Sequence, residues 1–423
     1  MAKYFINSQP KLQPQQGVSV STIWAIILLL SIGSNYLYGI TKNGRIDDFI
    51  IILIWICSFI AAIQRPQVVF IQFKRVWIAL TIFLIATCVF LWNNSISHIY
   101  EIYKLTLFLL FLPLLASFST QTIAQLDIKL IKFASAFFAL NLIVIILQYT
   151  ISPWIVVNFG LPPEQITLSS TQGRWVGLFA GVNNFGDIAV LMLLANEFLR
   201  PPKNKIYRYI FGISVLISTS KHAILITLIL FLFIFFKKNN SFISKARSII
   251  FLALIFITGL GLNFDVALIK VEQYQYLTKN IMSITNQDAD KIELRALSIA
   301  SGITILLKNP AGVGLGVWGD ASSEFRIKRN DLQELRMSDS WLIHLLVEQG
   351  IFIILYIVLL FSGLIYSKMR SNGIAFGALI IFLFLTSTVT MGLSSGSWPI
   401  LFGYLYARFI TLPTNSISPI YSA

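Results

Sequence analysis

The sequence predicts an all-α, polytopic membrane protein with about twelve transmembrane helices. The chain has 423 residues, of which 56% are hydrophobic and 12% are charged, about half the charged fraction of a soluble domain. Its mean hydropathy is +0.77, and apolar runs long enough for membrane helices recur along its length. This composition argues against a soluble enzyme, a disordered protein and a nucleic-acid-binding protein.

Apolar runs separated by polar breaks define the predicted spans. In chain order they cover 18–40, 47–63, 76–92, 99–118, 131–150, 174–199, 207–220, 222–236, 248–262, 339–366, 374–395 and 397–411. The chain then divides into a polar tail at 1–17, nine helices within 18–262, an external segment at 263–338, three helices within 339–411 and a second tail at 412–423.

The distribution of basic residues predicts the orientation of the chain. If the N-terminus is cytoplasmic, 18 of the 32 Lys and Arg residues lie inside and only five lie in short outside loops, namely Lys42, Arg45, Lys104, Arg174 and Lys221. Cytoplasmic loops of membrane proteins carry such an excess. The other nine lie in the external segment, where nine acidic residues balance them. We therefore expect both termini in the cytoplasm, and the net charge of +14 reflects topology rather than a polyanionic partner.

The external segment contains a predicted helix followed by a glycine-rich turn. Apolar residues recur with helical spacing through 290–308, so we expect an amphipathic helix that lies along the outer membrane surface or covers a cavity. Asn309-Pro310 should end this helix, and glycines then alternate with other residues through 311–319. No βαβ pattern surrounds these glycines, so they do not form a dinucleotide-binding motif.

A first group of candidate site residues follows Arg174, at the outer end of the sixth predicted span. Asn183 and Asn184 come next, within a glycine-rich stretch. Polar residues in membrane domains are functional candidates, and a cation beside a polar helix favours anion binding. The alternatives are snorkelling of Arg174 and interhelical hydrogen bonds from the two asparagines.

Two further groups also lie on the predicted outer side. Lys221 and His222 follow a polar turn between the seventh and eighth spans. Lys221 can meet a phosphate as a point charge, or it can belong to an ordinary polar turn. Arg295 lies one turn from Lys291 on the predicted loop helix, where the alternative is a solvated face.

A fourth group begins the tenth predicted span. Asp339 is at its outer end, where it can act as a general base or cap the helix. Trp341 follows, and it can stack on a sugar or anchor the helix at the membrane interface. His344 and Glu348 are one turn apart, and a buried Glu348 is costly unless paired, so a His344–Glu348 hydrogen bond is the simple structural interpretation.

No metal, cofactor or disulfide is predicted. The three His residues are widely separated in sequence, no carboxylate cluster is apparent, and Cys57 and Cys88 fall within apolar runs. The sequence also shows no P-loop and no Ser-His-Asp order.

The order of these groups resembles the O-antigen ligase and polymerase superfamily of bacterial inner-membrane proteins. Four stretches carry the resemblance: Arg174-x-x-Gly177-x-Phe179 with Asn183-Asn184, Thr219-Ser220-Lys221, Lys308-Asn309-Pro310 with the glycines that follow, and Asp339-Ser340-x9-Gly350. They cover about residues 170–355. The resemblance implies a GT-C-like fold and a bacterial inner-membrane location.

The resemblance also implies transfer of a glycan from undecaprenyl diphosphate to an acceptor hydroxyl, without a metal or cofactor. The implied partners are a lipid-linked oligosaccharide as donor and acceptor, the bilayer, and a chain-length regulator and flippase of the same pathway. The implied catalytic residues are Asp339 and Arg295. The implied diphosphate- or substrate-binding residues are Arg174, Lys221, Asn183, Asn184, His222, His344 and Trp341.

One departure from the family pattern favours a polymerase over a ligase. Ligases of this superfamily usually carry His where this chain has Asp339, whereas the polymerases vary more at this position. The alternatives are a ligase or oligosaccharyltransferase acting on lipid A core or protein, and, from another class, a lipid-linked oligosaccharide transporter. Transporters built from two similar halves show matching hydropathy about a central loop, which this chain does not.

Overall fold

The computed structural model describes residues 19–33, 46–92, 96–159, 177–179, 182–199, 204–218, 220–237, 301–318, 340–369, 372–387 and 398–411. Every regular element in these ranges is helical. In chain order the α-helices are α1 (Val20–Ile32), α2 (Ile46–Gln64), α3 (Lys74–Phe90), α4 (Ile96–Thr106), α5 (Phe111–Ser117), α6 (Thr120–Thr150), α7 (Val182–Phe198), α8 (Lys205–Ile217), α9 (Lys221–Lys237), α10 (Trp341–Gln349), α11 (Ile353–Met369), α12 (Gly373–Ser387) and α13 (Trp398–Thr411).

Most of these helices coincide with predicted spans. The clearest difference is α6, which begins at Thr120 rather than at 131. The Ser119 hydroxyl accepts the Thr122 backbone N–H and caps this end, so the helix continues through a polar stretch that hydropathy alone assigns to a loop. The predicted loop helix is confirmed at 301–308 and ends before Asn309, whereas the span at 248–262 lies outside the described residues.

The described helices have the composition and surface of a helical membrane protein. Three helical segments among them are long and apolar enough to cross a bilayer, namely Ser97–Ser117, Thr120–Thr150 and Trp341–Met369. Large apolar side chains such as Phe59 on α2 and Val89 on α3 are more than half exposed. Soluble proteins rarely expose extended apolar faces, whereas lipid-facing helices must do so. The full number of twelve spans stays a prediction.

Helix α13 forms the centre of the described bundle. All of its residues are buried, and it contacts α1, α5, α7, α11 and α12. The segment Ser97–Ser117, which joins α4 and α5 through a short 3-10 turn, packs on α13 and is 67% buried in its most apolar window. The corresponding value is 44% for each of the other two long segments, so Ser97–Ser117 is an internal helix rather than a lipid-facing one.

A buried ion pair ties α6 to α13. Arg408 Nε donates to Asp127 Oδ2 at 2.8 Å, and the Tyr404 hydroxyl donates to Asp127 Oδ1 at 2.5 Å. Asp127 and Arg408 are 0% and 1% exposed. A buried charge is tolerated when it is paired and hydrogen-bonded, and both carboxylate oxygens of Asp127 have a partner.

Contacts between helix ends follow the up-and-down course that the sequence predicts. Lys129, near the start of α6, donates to Ser19 at the start of α1. Arg65, just after α2, donates to the Ser117 carbonyl at the end of α5. Both contacts join ends that the charge distribution assigns to the cytoplasmic side. Which side of the bundle faces the cytoplasm stays a prediction.

Candidate functional site

Six of the nine predicted site residues have side chains outside the part of the chain that the structure describes: Arg174, Asn183, Lys221, His222, Arg295 and Asp339. The other three are placed. Asn184 lies half-buried in the first turn of α7, and Trp341 and His344 lie in α10. The described parts of the four motif stretches nevertheless show what surrounds these positions.

The stretch after Arg174 is held by two polar residues of α6. Gly177 has a φ of +61°, and its N–H donates to Gln148 Oε1 at 2.9 Å. The Leu178 N–H donates to Asn141 Oδ1 at 2.6 Å. Asn141 and Gln148 are almost completely buried. Their side-chain oxygens hold the backbone three to four residues after Arg174. Neither residue was among the predicted site residues, although amides within an apolar helix are the signal that points to them.

The polar turn between α8 and α9 packs against the start of α7. A Cβ atom added at Gly186 would lie 2.9 Å from Ser218 Oγ and 3.0 Å from Ser220 Cβ. Only a glycine lets the turn approach this closely. The first motif stretch, which contains Asn184, and the second, which contains Ser220, are therefore neighbours in the fold.

The glycine-rich turn at 311–318 fills a break in the segment Trp341–Met369. Helix α10 ends at Gln349, and Gly350 has a φ of +53°, so the helical hydrogen-bond ladder is interrupted. The Val313 and Gly314 N–H groups donate to the carbonyls of Val347 and Glu348 at 3.0 and 3.1 Å. Backbone groups freed by such a break must find partners, and this turn supplies them. The third and fourth motif stretches are thus joined directly.

A cluster of four charged or titratable side chains lies beside this break. Glu101 and Lys104 come from α4, and His344 and Glu348 come from α10. His344 Nε2 is 3.3 Å from Glu348 Oε2 and 3.7 Å from Glu101 Oε2. Lys104 Nζ is 3.6 Å from Glu101 Oε1. The four side chains are between 0% and 8% exposed, so their charges interact with little screening by water.

Part of this cluster was predicted from the sequence. His344 and Glu348 lie close together as expected, at 3.3 Å, but no hydrogen bond joins them, since Glu348 Oε2 has no hydrogen-bond partner among the described residues. The expectation that the chain has no carboxylate cluster is wrong, because α4 brings Glu101 to the same point. The charge distribution assigned Lys104 to a short outside loop, whereas its side chain is buried and belongs to α4. Two charged residues inside an apolar run are the signal that would have found this part of the site.

The aromatic residues at this position are buried. Trp341 is 3% exposed and packs edge-on against Tyr356, with ring centroids 6.0 Å apart. Trp318 is 1% exposed and stacks on the His344 ring at 6.2 Å. Neighbouring side chains cover both rings, and stacking of Trp341 on a sugar stays a prediction.

The N-cap of α10 is Ser340. Its hydroxyl accepts the Ile343 N–H at 3.5 Å and donates to the Ser387 carbonyl at 3.3 Å. Asp339 lies outside the described residues, so its roles as a base or as a cap both stay predictions.

Comparison with family models, curated proteins and solved structures finds no match to this chain.

Proposed function

We propose that the protein is an integral-membrane glycosyltransferase that polymerises lipid-linked oligosaccharides. The observation that carries the proposal is the spatial pairing of the four motif stretches. The stretch containing Asn184 packs on the turn containing Ser220, and the glycine-rich turn packs on the break at Gly350. Helix α12 contacts α7, α9 and α10, so it lies against both pairs.

The proposed reaction needs little covalent help from the protein. The acceptor hydroxyl attacks the anomeric carbon of the donor sugar, the bond from that carbon to the diphosphate oxygen breaks, and undecaprenyl diphosphate leaves with the electron pair. The proton of the hydroxyl passes to a base, for which Asp339 is our candidate. Arg174, Arg295 and Lys221 would neutralise the leaving diphosphate, so the protein acts mainly by charge stabilisation and orientation.

A deletion strain distinguishes the proposed polymerase from its alternatives. Loss of a polymerase should leave single repeat units on the cell surface, and loss of a ligase should leave polymer on undecaprenyl diphosphate. Loss of a transporter should leave no surface glycan. We expect single repeat units when the surface glycans of the deletion strain are separated by size. Either of the other patterns would contradict the proposal.

A transporter is retained as a second candidate because of the cluster in α4 and α10. Ionisable residues buried in membrane segments mark ion or proton pathways in many transporters, and broken helices are common at their binding sites. Glu101, His344 and Glu348 have both features, because they lie beside the break at Gly350. The deletion experiment above decides between the two classes.

Replacement of Arg174 or Arg295 by alanine is expected to abolish polymer while the protein remains in the membrane. Each loss removes a cation that we assign to the diphosphate, and removal of one such group typically costs about 10²–10³ in rate. Glycan profiles of complemented deletion strains measure the effect. Lys291→Ala is the matched control, since Lys291 is a loop cation one turn from Arg295 without an assigned role. Full-length glycan in either arginine variant would refute the diphosphate assignment.

Asp339→Asn tests the proposed base separately. Asparagine keeps the size and hydrogen-bonding capacity of the side chain but cannot accept the proton as a carboxylate does. We expect polymer to fall by about 10²-fold or more, the usual contribution of a general base. Near-normal polymer at wild-type protein levels would mean that Asp339 has no role in proton transfer.

A further inference from the structure

We propose that Glu101, His344 and Glu348 bind one divalent first-row transition-metal ion, with Zn²⁺ as the best match. This proposal does not depend on the proposed function. It follows from the positions of three side chains whose ligand atoms all lie within 4.8 Å of one another. Imidazole nitrogens and carboxylate oxygens are both zinc ligands, and three protein ligands with a fourth position open is the coordination of catalytic zinc sites.

The separations fit ligands around a small ion better than direct hydrogen bonds. His344 Nε2 lies 3.3 and 3.7 Å from the two carboxylate Oε2 atoms, beyond the usual N–H···O range of about 2.7–3.2 Å. Ligands at about 2.0–2.1 Å from a tetrahedral ion are roughly 3.3–3.5 Å apart, so the 3.3 Å pair already has this spacing and Glu101 would move slightly closer to a bound ion. Ca²⁺ would require longer bonds and six or more oxygen ligands.

Each carboxylate is oriented by its other oxygen. Glu348 Oε1 accepts the Trp318 N–H at 3.0 Å, and Glu101 Oε1 faces Lys104 Nζ at 3.6 Å. The Oε2 atoms of both residues are buried without a hydrogen-bond partner, and both point toward His344 Nε2. Outer partners that hold one oxygen and leave the second for the ion are a regular feature of metal sites.

The imidazole is positioned by a ring contact. Trp318 stacks on the His344 ring with an interplanar angle of 19°. His344 and Glu348 are one turn apart on α10, so their side chains project from the same face of the helix. A bound ion would therefore join α4 to α10 beside the glycine-rich turn, at a point where both helices have charged groups and no contact with water.

The competing occupant of the site is a proton. A protonated His344 together with Lys104 would balance the two carboxylates and leave a neutral cluster without a metal. A metal ion replaces that proton, since ligation requires the neutral imidazole. The two states differ in metal content, so direct measurement separates them.

The test uses the full-length protein, purified in detergent, stripped with EDTA and re-equilibrated with Zn²⁺. We expect about one zinc per chain by mass spectrometry of the metal. The variant Glu101→Gln/Glu348→Gln should retain at least about tenfold less zinc than the wild type. It removes both carboxylate ligands, and loss of an outer partner alone already lowers metal affinity by about tenfold. Glu197→Gln is the matched control, because Glu197 is a buried glutamate paired with Arg208 elsewhere in the bundle. Equal zinc in the wild type and the double variant would overturn the proposal.

A second measurement uses the wild-type chain alone and so remains decisive if the double variant fails to fold. Co²⁺ added to the stripped protein should give the intense visible absorption of a four-coordinate ion, and Zn²⁺ should abolish it. A spectrum identical to that of Co²⁺ in buffer would mean that the cluster holds a proton instead. Because neither readout involves glycan, failure of this proposal leaves the polymerase proposal untouched, and the reverse is also true.

Discussion

Replacement of Asp127 by alanine is expected to destabilise the protein more than any other single loss of charge in the described bundle. The substitution would leave Arg408 charged, 1% exposed and without its carboxylate partner. Removing one partner of a buried ion pair costs about 3–5 kcal/mol, because the remaining charge loses its counter-ion in a site shielded from water. The Tyr404 hydroxyl would lose its acceptor as well.

The effect is measured as the apparent Tm of the detergent-purified protein. The folded fraction is monitored by size-exclusion chromatography. Glu197→Ala is the control, since its partner Arg208 is 31% exposed and can be hydrated, so the loss should be about 1 kcal/mol or less. Removal of both charges by Asp127→Ala/Arg408→Met should be less harmful than Asp127→Ala alone. A lower apparent Tm for the double variant than for Asp127→Ala would show that the charge left on Arg408 is not the cause of the loss.

Gly312→Ala is expected to have the second large effect, through backbone geometry rather than charge. Gly312 has a φ of +91°, and an added Cβ atom would lie 2.4 Å from the Glu348 carbonyl oxygen and 2.7 Å from the Gln349 carbonyl carbon. The clash is with backbone, so no side-chain rotation relieves it. Strain and overpacking each cost about 1–3 kcal/mol, and the turn would separate from the break at Gly350.

Gly212→Ala is the matched control for this substitution. Gly212 lies within α8, and an added Cβ atom there meets nothing within 4 Å. Alanine is favoured over glycine by about 0.8–1 kcal/mol within a helix, so stability should be unchanged or slightly higher. An apparent Tm for Gly312→Ala equal to that of the control would show that the turn can leave α10 at no cost.

The sequence was sufficient to predict most of the helices because apolar composition determines them directly. It also predicted the end of the loop helix before Asn309, where the following proline disfavours helical backbone, and the contact between His344 and Glu348, which are one turn apart. These are local properties, and no knowledge of the remaining chain is needed to infer them.

What the sequence could not predict depends on contacts between distant segments. Glu101 joins His344 only because α4 and α10 are neighbours in the bundle. The span predicted at 397–411 carries no signal of a central position, yet α13 is buried along its whole length. Its aromatic residues and Arg408 are compatible with a central or a peripheral helix, and only the packing of the surrounding helices decides between the two.

The burial of Ser97–Ser117 has a consequence for how the protein is made. This segment carries Glu101 and Lys104, and a single charged residue at the centre of a membrane helix costs about 2.5–3.5 kcal/mol on insertion. The groups that compensate these charges and cover the segment lie in α10 and α13, which the ribosome synthesises more than 200 residues later. The middle of the molecule therefore stays incompletely assembled until α13 has been synthesised, and chains that stop before α13 should be substrates for membrane quality control.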